Sequence, residues 1–158
     1  MQIDIKNLDR KKILLPISID TEKAKKQKLI DIEGIEIYFP YEPYLSQKTY
    51  MKNVILTLNK EKSLSGLESP TGTGKTLCLL CAVLAWVKHN ENEISIYYCT
   101  RTVSQMNNVL KELDKTCYSL NISYLTSRKR SCIKFEPKKR KKMDDINIFF
   151  YSYTLFFR

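Results

Sequence analysis

Glu68-Ser69-Pro70-Thr71-Gly72-Thr73-Gly74-Lys75-Thr76 is the stretch that decides how this chain is read. Its end, Gly74-Lys75-Thr76, matches the close of the G-x-x-x-x-G-K-[ST] phosphate-binding pattern, with Ser69 where the first glycine belongs. Each residue type answers a physical need. Gly72 and Gly74 can adopt backbone conformations closed to other residues, so successive N–H groups can turn inward around an anion. Lys75 brings a point charge toward the β- and γ-phosphates, and the Thr76 hydroxyl is suited to ligate Mg²⁺. The helix behind them aims its N-terminal amides and positive dipole end at the same place. The stretch from Ser69 through Pro70, Thr71, Gly72, Thr73 and Gly74 to Lys75 and Thr76 is therefore the candidate cradle for a nucleoside triphosphate. Lys75 and Thr76 are its candidate catalytic residues.

Outward from the loop, strands and helices alternate. Upstream, Gly66-Leu67-Glu68 reads as a short buried strand. Before it, Tyr50, Met51, Val54, Ile55 and Leu58 recur at three- and four-residue steps and predict a helix over about 45–60. Ile30, Ile32, Ile35, Ile37 and Phe39 alternate with polar residues around Glu33-Gly34, the pattern of a β-hairpin. Downstream, the apolar run from Leu77 to Val87 predicts a helix over about 75–89, closed by His89 and Asn90. Residues 94–99 form the next strand. Ser104 is positioned to cap a helix to about Lys115, and 122–125 make a further short strand. This alternation predicts an α/β domain with a parallel sheet and the phosphate loop at the carboxyl end of its strand.

The 158 residues are enough for one domain, which at this size buries roughly 70% of its unfolded surface. The net charge of +10 is concentrated: residues 128–142 hold nine Lys or Arg against Glu136 alone. Such a patch is the electrostatic footprint of a nucleic-acid contact. It also reads as a solvated lysine run, and Lys138-Lys139-Arg140-Lys141-Lys142 as a nuclear import signal. Cys78 and Cys81 imitate a C-x-x-C pair, but both fall on the apolar helix, where buried reduced thiols are expected. Ile148 to Phe157 is apolar yet far short of the roughly 20 residues of a membrane span, and no secretory signal opens the chain, so a location inside the cell is expected.

Four segments together resemble the iron–sulfur superfamily 2 DNA helicases, of the regulator of telomere elongation and xeroderma-pigmentosum group D type. Phe39-Pro40-Tyr41-Glu42-Pro43-Tyr44 with Gln47 resembles the family's adenine-reading segment. Glu68 through Cys81 resembles its Walker A motif and following helix. Cys99-Thr100-Arg101-Thr102-Val103-Ser104-Gln105 is similar to the motif that touches single-stranded DNA, with Val103 where relatives usually carry histidine. Ser127-Arg128-Lys129-Arg130-Ser131-Cys132-Ile133 resembles the approach to the first cluster-ligating cysteine.

The likeness covers roughly residues 35–135. It implies a RecA-like P-loop NTPase domain that binds MgATP and moves 5′ to 3′ on single-stranded DNA, in DNA repair or telomere maintenance in the nucleus. By position, Tyr44 would pack near the base and Gln47 would hydrogen-bond the adenine. Arg101 and Ser104 would contact DNA phosphates. Cys132 is either one ligand of a [4Fe–4S] cluster or a plain thiol, since a cluster of that kind needs four thiolates.

The family's Asp-Glu-Ala-His box has no counterpart; Asp144-Asp145 is followed by Ile146-Asn147, which does not complete it. The expected organisation is a lysine-rich arm of low order over 1–28, the first part of the motor domain over 29–127, and a truncated iron–sulfur region over 128–158. A chain so built is expected to bind nucleotide but not to hydrolyse it alone. The alternatives are a catalytically inactive nucleotide- or DNA-binding module and a P-loop kinase or ATPase outside the helicases.

Overall fold

A computed structural model of the chain describes residues 17–90, 94, 96–125 and 153–157. The basic segment 128–142, Cys132, Asp144 and Asp145 lie outside the described residues. The elements begin with β1 (Ser18–Ile19), α1 (Thr21–Ala24), β2 (Lys28–Ile32) and β3 (Ile35–Phe39). The long helices α2 (Leu45–Leu58) and α3 (Lys75–His89) follow, then β4 (Ile96–Thr100) and α4 (Val103–Asp114). Three short strands close the order: β5 (Tyr118–Ser119), β6 (Ile122–Leu125) and β7 (Tyr153–Phe157).

The hairpin forms as its alternation predicts, with β2 and β3 antiparallel and Ile32 opposite Ile35. Glu33 and Gly34 at the turn have φ of 54° and 78°, so both central residues are left-handed, the type I′ geometry that matches strand twist. The Glu33 carboxylate is anchored by Lys52 of α2 at 2.6 Å. Ile32, Ile35, Ile37 and Phe39 are buried while Asp31, Glu33 and Glu36 face solvent. The Tyr38 N–H donates to the buried Tyr118 hydroxyl at 3.1 Å, tying β3 to the segment after α4.

Helix α3 is the centre of the molecule. Leu77, Cys78, Leu80, Cys81, Ala82, Leu84, Ala85 and Val87 are all buried, which covers more than one face of the cylinder. That width is needed because α2, β3 and α4 all pack against it. The Trp86 indole N–H donates to Asn59 Oδ1 at 2.7 Å and locks the end of α3 to the end of α2. Helix α4 buries Met106, Val109 and Leu113, with Leu110 partly buried beside them.

Three expectations are corrected. The cap of α4 is Thr102, not Ser104. Thr102 has extended backbone, its Oγ1 accepts from Gln105 N–H at 3.2 Å, and Gln105 Oε1 accepts from Thr102 N–H at 3.2 Å. This reciprocal box satisfies two orphan donors and needs a glutamine three residues on, which Thr102 has and Ser104 lacks. Gly66-Leu67-Glu68 has no ladder pairing among the described residues, and only Leu67 is partly buried. A glycine with no side chain to pack weakens a strand. Residues 18–28, read as part of a loosely ordered arm, instead carry β1, α1 and the start of β2. The Asp20 side chain caps α1, and its N–H donates to Cys117 O at 2.8 Å.

The sheet also departs from expectation. Every strand pairing among the described residues is antiparallel: β1 with β5, β2 with β3, and β7 with both β4 and β6. Strands β4 and β6 run in the same direction with α4 as their crossover, as in a βαβ unit. They are not hydrogen-bonded neighbours, because β7 occupies the place between them, Leu155 standing opposite both Tyr98 and Tyr124. The Tyr-Thr-Leu-Phe-Phe run of β7 consists of strong strand formers, and in that place both of its edges are paired. The chain is thus mixed α/β with small antiparallel sheets.

Candidate nucleotide loop and adjoining cleft

The phosphate-type loop runs from Ser69 to the first turn of α3. Gly72 and Gly74 both have left-handed backbone, with φ of 81° and 76°, and Gly74 is the N-cap of α3. The first helical bond is Cys78 N–H to Gly74 O at 3.0 Å. The amides of Lys75, Thr76 and Leu77 therefore have no acceptor within the helix and are available to an anion at its end.

Hydroxyls and the lysine hold the loop's shape. Lys75 Nζ donates to Ser69 O and Pro70 O, each at 2.6 Å. Thr73 Oγ1 donates to Pro70 O at 2.9 Å and lies 2.6 Å from Ser69 Oγ. A threonine hydroxyl has one proton, so the proton between the two oxygens is the one on Ser69. Ser69 thus replaces the usual glycine with a side chain that closes the loop on Thr73. Pro70, Thr71 and Gly72 are exposed at its tip.

Gln47, in the first turn of α2, reaches this loop. Its Oε1 accepts from Tyr44 N–H at 3.0 Å and its Nε2 donates to Thr73 O at 3.1 Å. A Cβ at Gly74 would lie 3.0 Å from the same Nε2, so glycine is what admits the glutamine. One lone pair on Oε1 and one proton on Nε2 remain for a further partner. Tyr44, 75% exposed, stands at the start of α2 beside this pair. Gln47, Tyr50, Ser69, Thr73 and Lys75 share a narrow crevice.

On the other side of α3's first turn lies a cleft of about 500 Å³. Its walls include Thr76, Tyr98, Thr100, Arg101, Ser104 and Asn108. The fold therefore brings Arg101 and Ser104 to the same cavity as Thr76, although 25 or more positions separate them in sequence. Tyr98 was not among the residues singled out from sequence. The signal for it is present: on β4, Ile96, Tyr98 and Thr100 are the partly buried positions, alternating with exposed Tyr97 and Cys99. A hydroxyl-bearing aromatic at an inward strand position beside a phosphate loop is a residue to single out.

The cysteines answer the metal question in part. Cys78, Cys81 and Cys117 are buried, and desolvation raises all three thiols, Cys78 to about 11. They stay protonated and unreactive near neutral pH. Of the five cysteines that leaves Cys99 and Cys132, fewer than the four thiolates a [4Fe–4S] cluster requires, so the residues of this chain do not fit that group. Among the described residues no cluster of three or more His, Cys, Asp or Glu could hold a metal ion, and no helix is long and apolar enough to cross a membrane. For a nucleotide-borne Mg²⁺ the requirement is smaller, and the Thr76 hydroxyl on the cleft wall fits it.

Comparison with known proteins adds the family. The DEAD_2 family model matches residues 98–155. Regulator of telomere elongation helicase 1 of Bos taurus is 34% identical over 151 aligned positions, covering 71% of this chain and 12% of that protein. The homologue of Arabidopsis thaliana is 36% identical over 151 positions, covering 76% of this chain and 14% of its own length. That of Caenorhabditis briggsae is 38% identical over 135, covering 67% and 14%. The chain thus spans about an eighth of the length of the curated relatives it matches. No solved structure matches. These likenesses carry the conclusion: the chain belongs to the helicase family of the regulator of telomere elongation and xeroderma-pigmentosum group D type.

Proposed function

We propose that this chain is the ATP-binding portion of an ATP-dependent DNA helicase of 5′-to-3′ type, acting on single-stranded DNA in repair or telomere maintenance in the nucleus. One observation carries the reading. Two left-handed glycines, an inward-curled lysine and a threonine opening a helix form an anion cradle of the kind that RecA-like motors use. Ser69 through Thr76 hold the phosphates, with Lys75 as the charge partner and Thr76 as the Mg²⁺ ligand. No step of hydrolysis is assigned to residues of this chain beyond these two.

Gln47 reads the base. Its remaining acceptor and donor positions complement the N6 amine and N7 of adenine, whereas guanine presents acceptors at both places. The chain is expected to bind ATP at least about fivefold more tightly than GTP, the lower end of what a bidentate contact discriminates. Calorimetric titration of both nucleotides checks this. Equal affinities would remove base reading by Gln47.

Arg101 and Ser104 line a cleft open to a strand's phosphates, and the basic run 128–142 adds charge. Binding to a labelled single strand is expected to weaken with salt, log K falling by about 0.7 per unit of log salt for each phosphate neutralised. Fluorescence anisotropy from 50 to 300 mM salt measures that slope. A salt-independent interaction would exclude a phosphate-tracking site.

A second reading has an observation of its own. Among the described residues that line the cleft beside Thr76 none carries a carboxylate. On that reading the chain holds nucleotide and DNA without turning ATP over.

A further inference from the structure

Helix α4 can sit only one way round. Met106, Val109 and Leu113 are buried and Leu110 is partly buried, which fixes one side of the cylinder against the core. Helical spacing then gathers Ser104, Asn108 and Lys111, at four- and three-residue steps, on the opposite side. All three are exposed, as is Arg101 just before the helix. The cleft beside Thr76 opens onto the start of this side, because Arg101, Ser104 and Asn108 all line it. The other lining groups are less able to hold a strand. Gln105 Oε1 accepts from Thr102 N–H, and the Thr100 hydroxyl donates to Thr102 O at 3.1 Å. Thr76 and Tyr98 are partly buried, Val109 is buried and apolar, and Cys99 is only a weak donor. Among the described residues, Arg101, Ser104, Asn108 and Lys111 make no side-chain hydrogen bond or ion pair. The acids of α4 are already matched: Glu112 pairs with Lys115 at 2.7 Å and Asp114 with Lys23 at 3.5 Å. Arg101 and Lys111 are therefore uncompensated cations, one at each end of a row with a hydroxyl and a carboxamide between them. From Ser104 to Lys111 the row follows about 10 Å of helix axis, room for more than one of the closely spaced charges of a nucleic-acid strand.

We propose that Asn108 and Lys111 extend the strand-binding site along α4. A single strand leaving the cleft follows the exposed side of the helix, with the Asn108 carboxamide donating to one phosphate and Lys111 neutralising the next. The inference rests on the strand-binding reading of Arg101 and Ser104 given above and adds two residues and a direction to it. Charge complementarity and continuity with the cleft select the occupant: evenly spaced anions entering where Arg101 stands and running the length of the row.

The experiment is fluorescence anisotropy of labelled oligo(dT) with the full chain, repeated over a series of salt concentrations. Lys111→Gln is expected to make the slope of log K on log salt shallower by about 0.7, the share of one phosphate on a single strand. Lys88→Gln makes the same change of charge in the last turn of α3, about 18 Å along that helix from Thr76. It is expected to leave the slope at the wild-type value. Asn108→Ala is expected to weaken binding by roughly 2- to 10-fold at every salt concentration, the effect of one hydrogen bond. Its slope should match wild type, because a carboxamide displaces no counterion. Glutamine and alanine favour helix at least as well as the residues they replace at these exposed positions, so the variants keep the fold. Equal slope changes in Lys111→Gln and Lys88→Gln would mean that only net charge matters, and would overturn the proposal. Wild-type affinity in Asn108→Ala overturns it as well. If Arg101→Ala weakens binding while neither of those effects appears, the cleft reading stands and the extension along α4 is removed. Failure of the wild-type chain to bind the strand removes both.

Discussion

Replacing Lys75 with alanine is expected to lower the affinity for MgATP by about 100-fold and to leave the fold intact. A hydrogen bond to a charged group contributes roughly 1.5–3 kcal/mol, and an ammonium placed between two phosphates reaches the upper part of that range. About 3 kcal/mol corresponds to about two orders of magnitude in affinity. The present partners of Lys75 Nζ are the carbonyls of Ser69 and Pro70, on a loop whose tip is exposed. Water can take over those acceptors, so the urea midpoint without nucleotide should move little. Titration with a fluorescent ATP analogue, paired with urea unfolding, separates the two effects. An affinity within threefold of wild type would mean that phosphate is not held by this loop. The same variant also separates the two readings of the chain. DNA-stimulated turnover by wild type, abolished by Lys75→Ala, would show a complete catalytic site; nucleotide binding without turnover fits the inactive module.

Gly74→Ala is expected to destabilise the chain by about 2–3 kcal/mol, and Gly72→Ala by only about 1–2 kcal/mol. Both glycines have left-handed backbone, so both substitutions carry the steric cost of placing a Cβ there. They differ in surroundings. A Cβ at Gly72 meets nothing within 4 Å, whereas one at Gly74 comes to 3.0 Å from Gln47 Nε2. Gln47 is a flexible side chain and will move, but in moving it gives up its bond to Thr73 O. The difference between the two variants is therefore the contribution of the Gln47 link. Urea unfolding of both, alone and combined with Gln47→Ala, closes a double-mutant cycle. Equal costs at the two glycines, or full additivity with Gln47→Ala, would show that the link contributes nothing. Nucleotide affinity should fall more for Gly74→Ala, because its change also unseats Gln47, the residue proposed to read the base.

Much of this architecture was legible because its causes are local. The hairpin follows from alternation and a Glu33-Gly34 turn that accepts two left-handed residues. The bounds of α3 follow from a glycine at one end and His89-Asn90 at the other. Where a local signal had a competitor, the reading erred. Ser104 and Thr102 are both cap formers, and the choice falls to the one whose third residue onward is a glutamine. Gly66-Leu67-Glu68 lies where a strand belongs before such a loop, but a strand needs a neighbour, and its neighbours are not a property of its own residues.

The same boundary divides the site. The phosphate loop and its lysine were evident from residue types at fixed spacing. The bond from Gln47 to Thr73 and the cleft shared by Thr76, Tyr98, Arg101 and Ser104 join residues on different elements. Sequence alone determined the glycine-rich loop and the helices that flank it, because backbone preference and helical periodicity act over a few residues; the family came from the likeness of its motifs to known helicases. Tertiary structure alone decided that β7 occupies the place between β4 and β6, that the described pairings are antiparallel, and that Thr76 shares a cleft with Tyr98, Arg101 and Ser104. Such pairings depend on which distant surfaces can satisfy each other's hydrogen bonds and apolar area at once, and no local pattern carries that information.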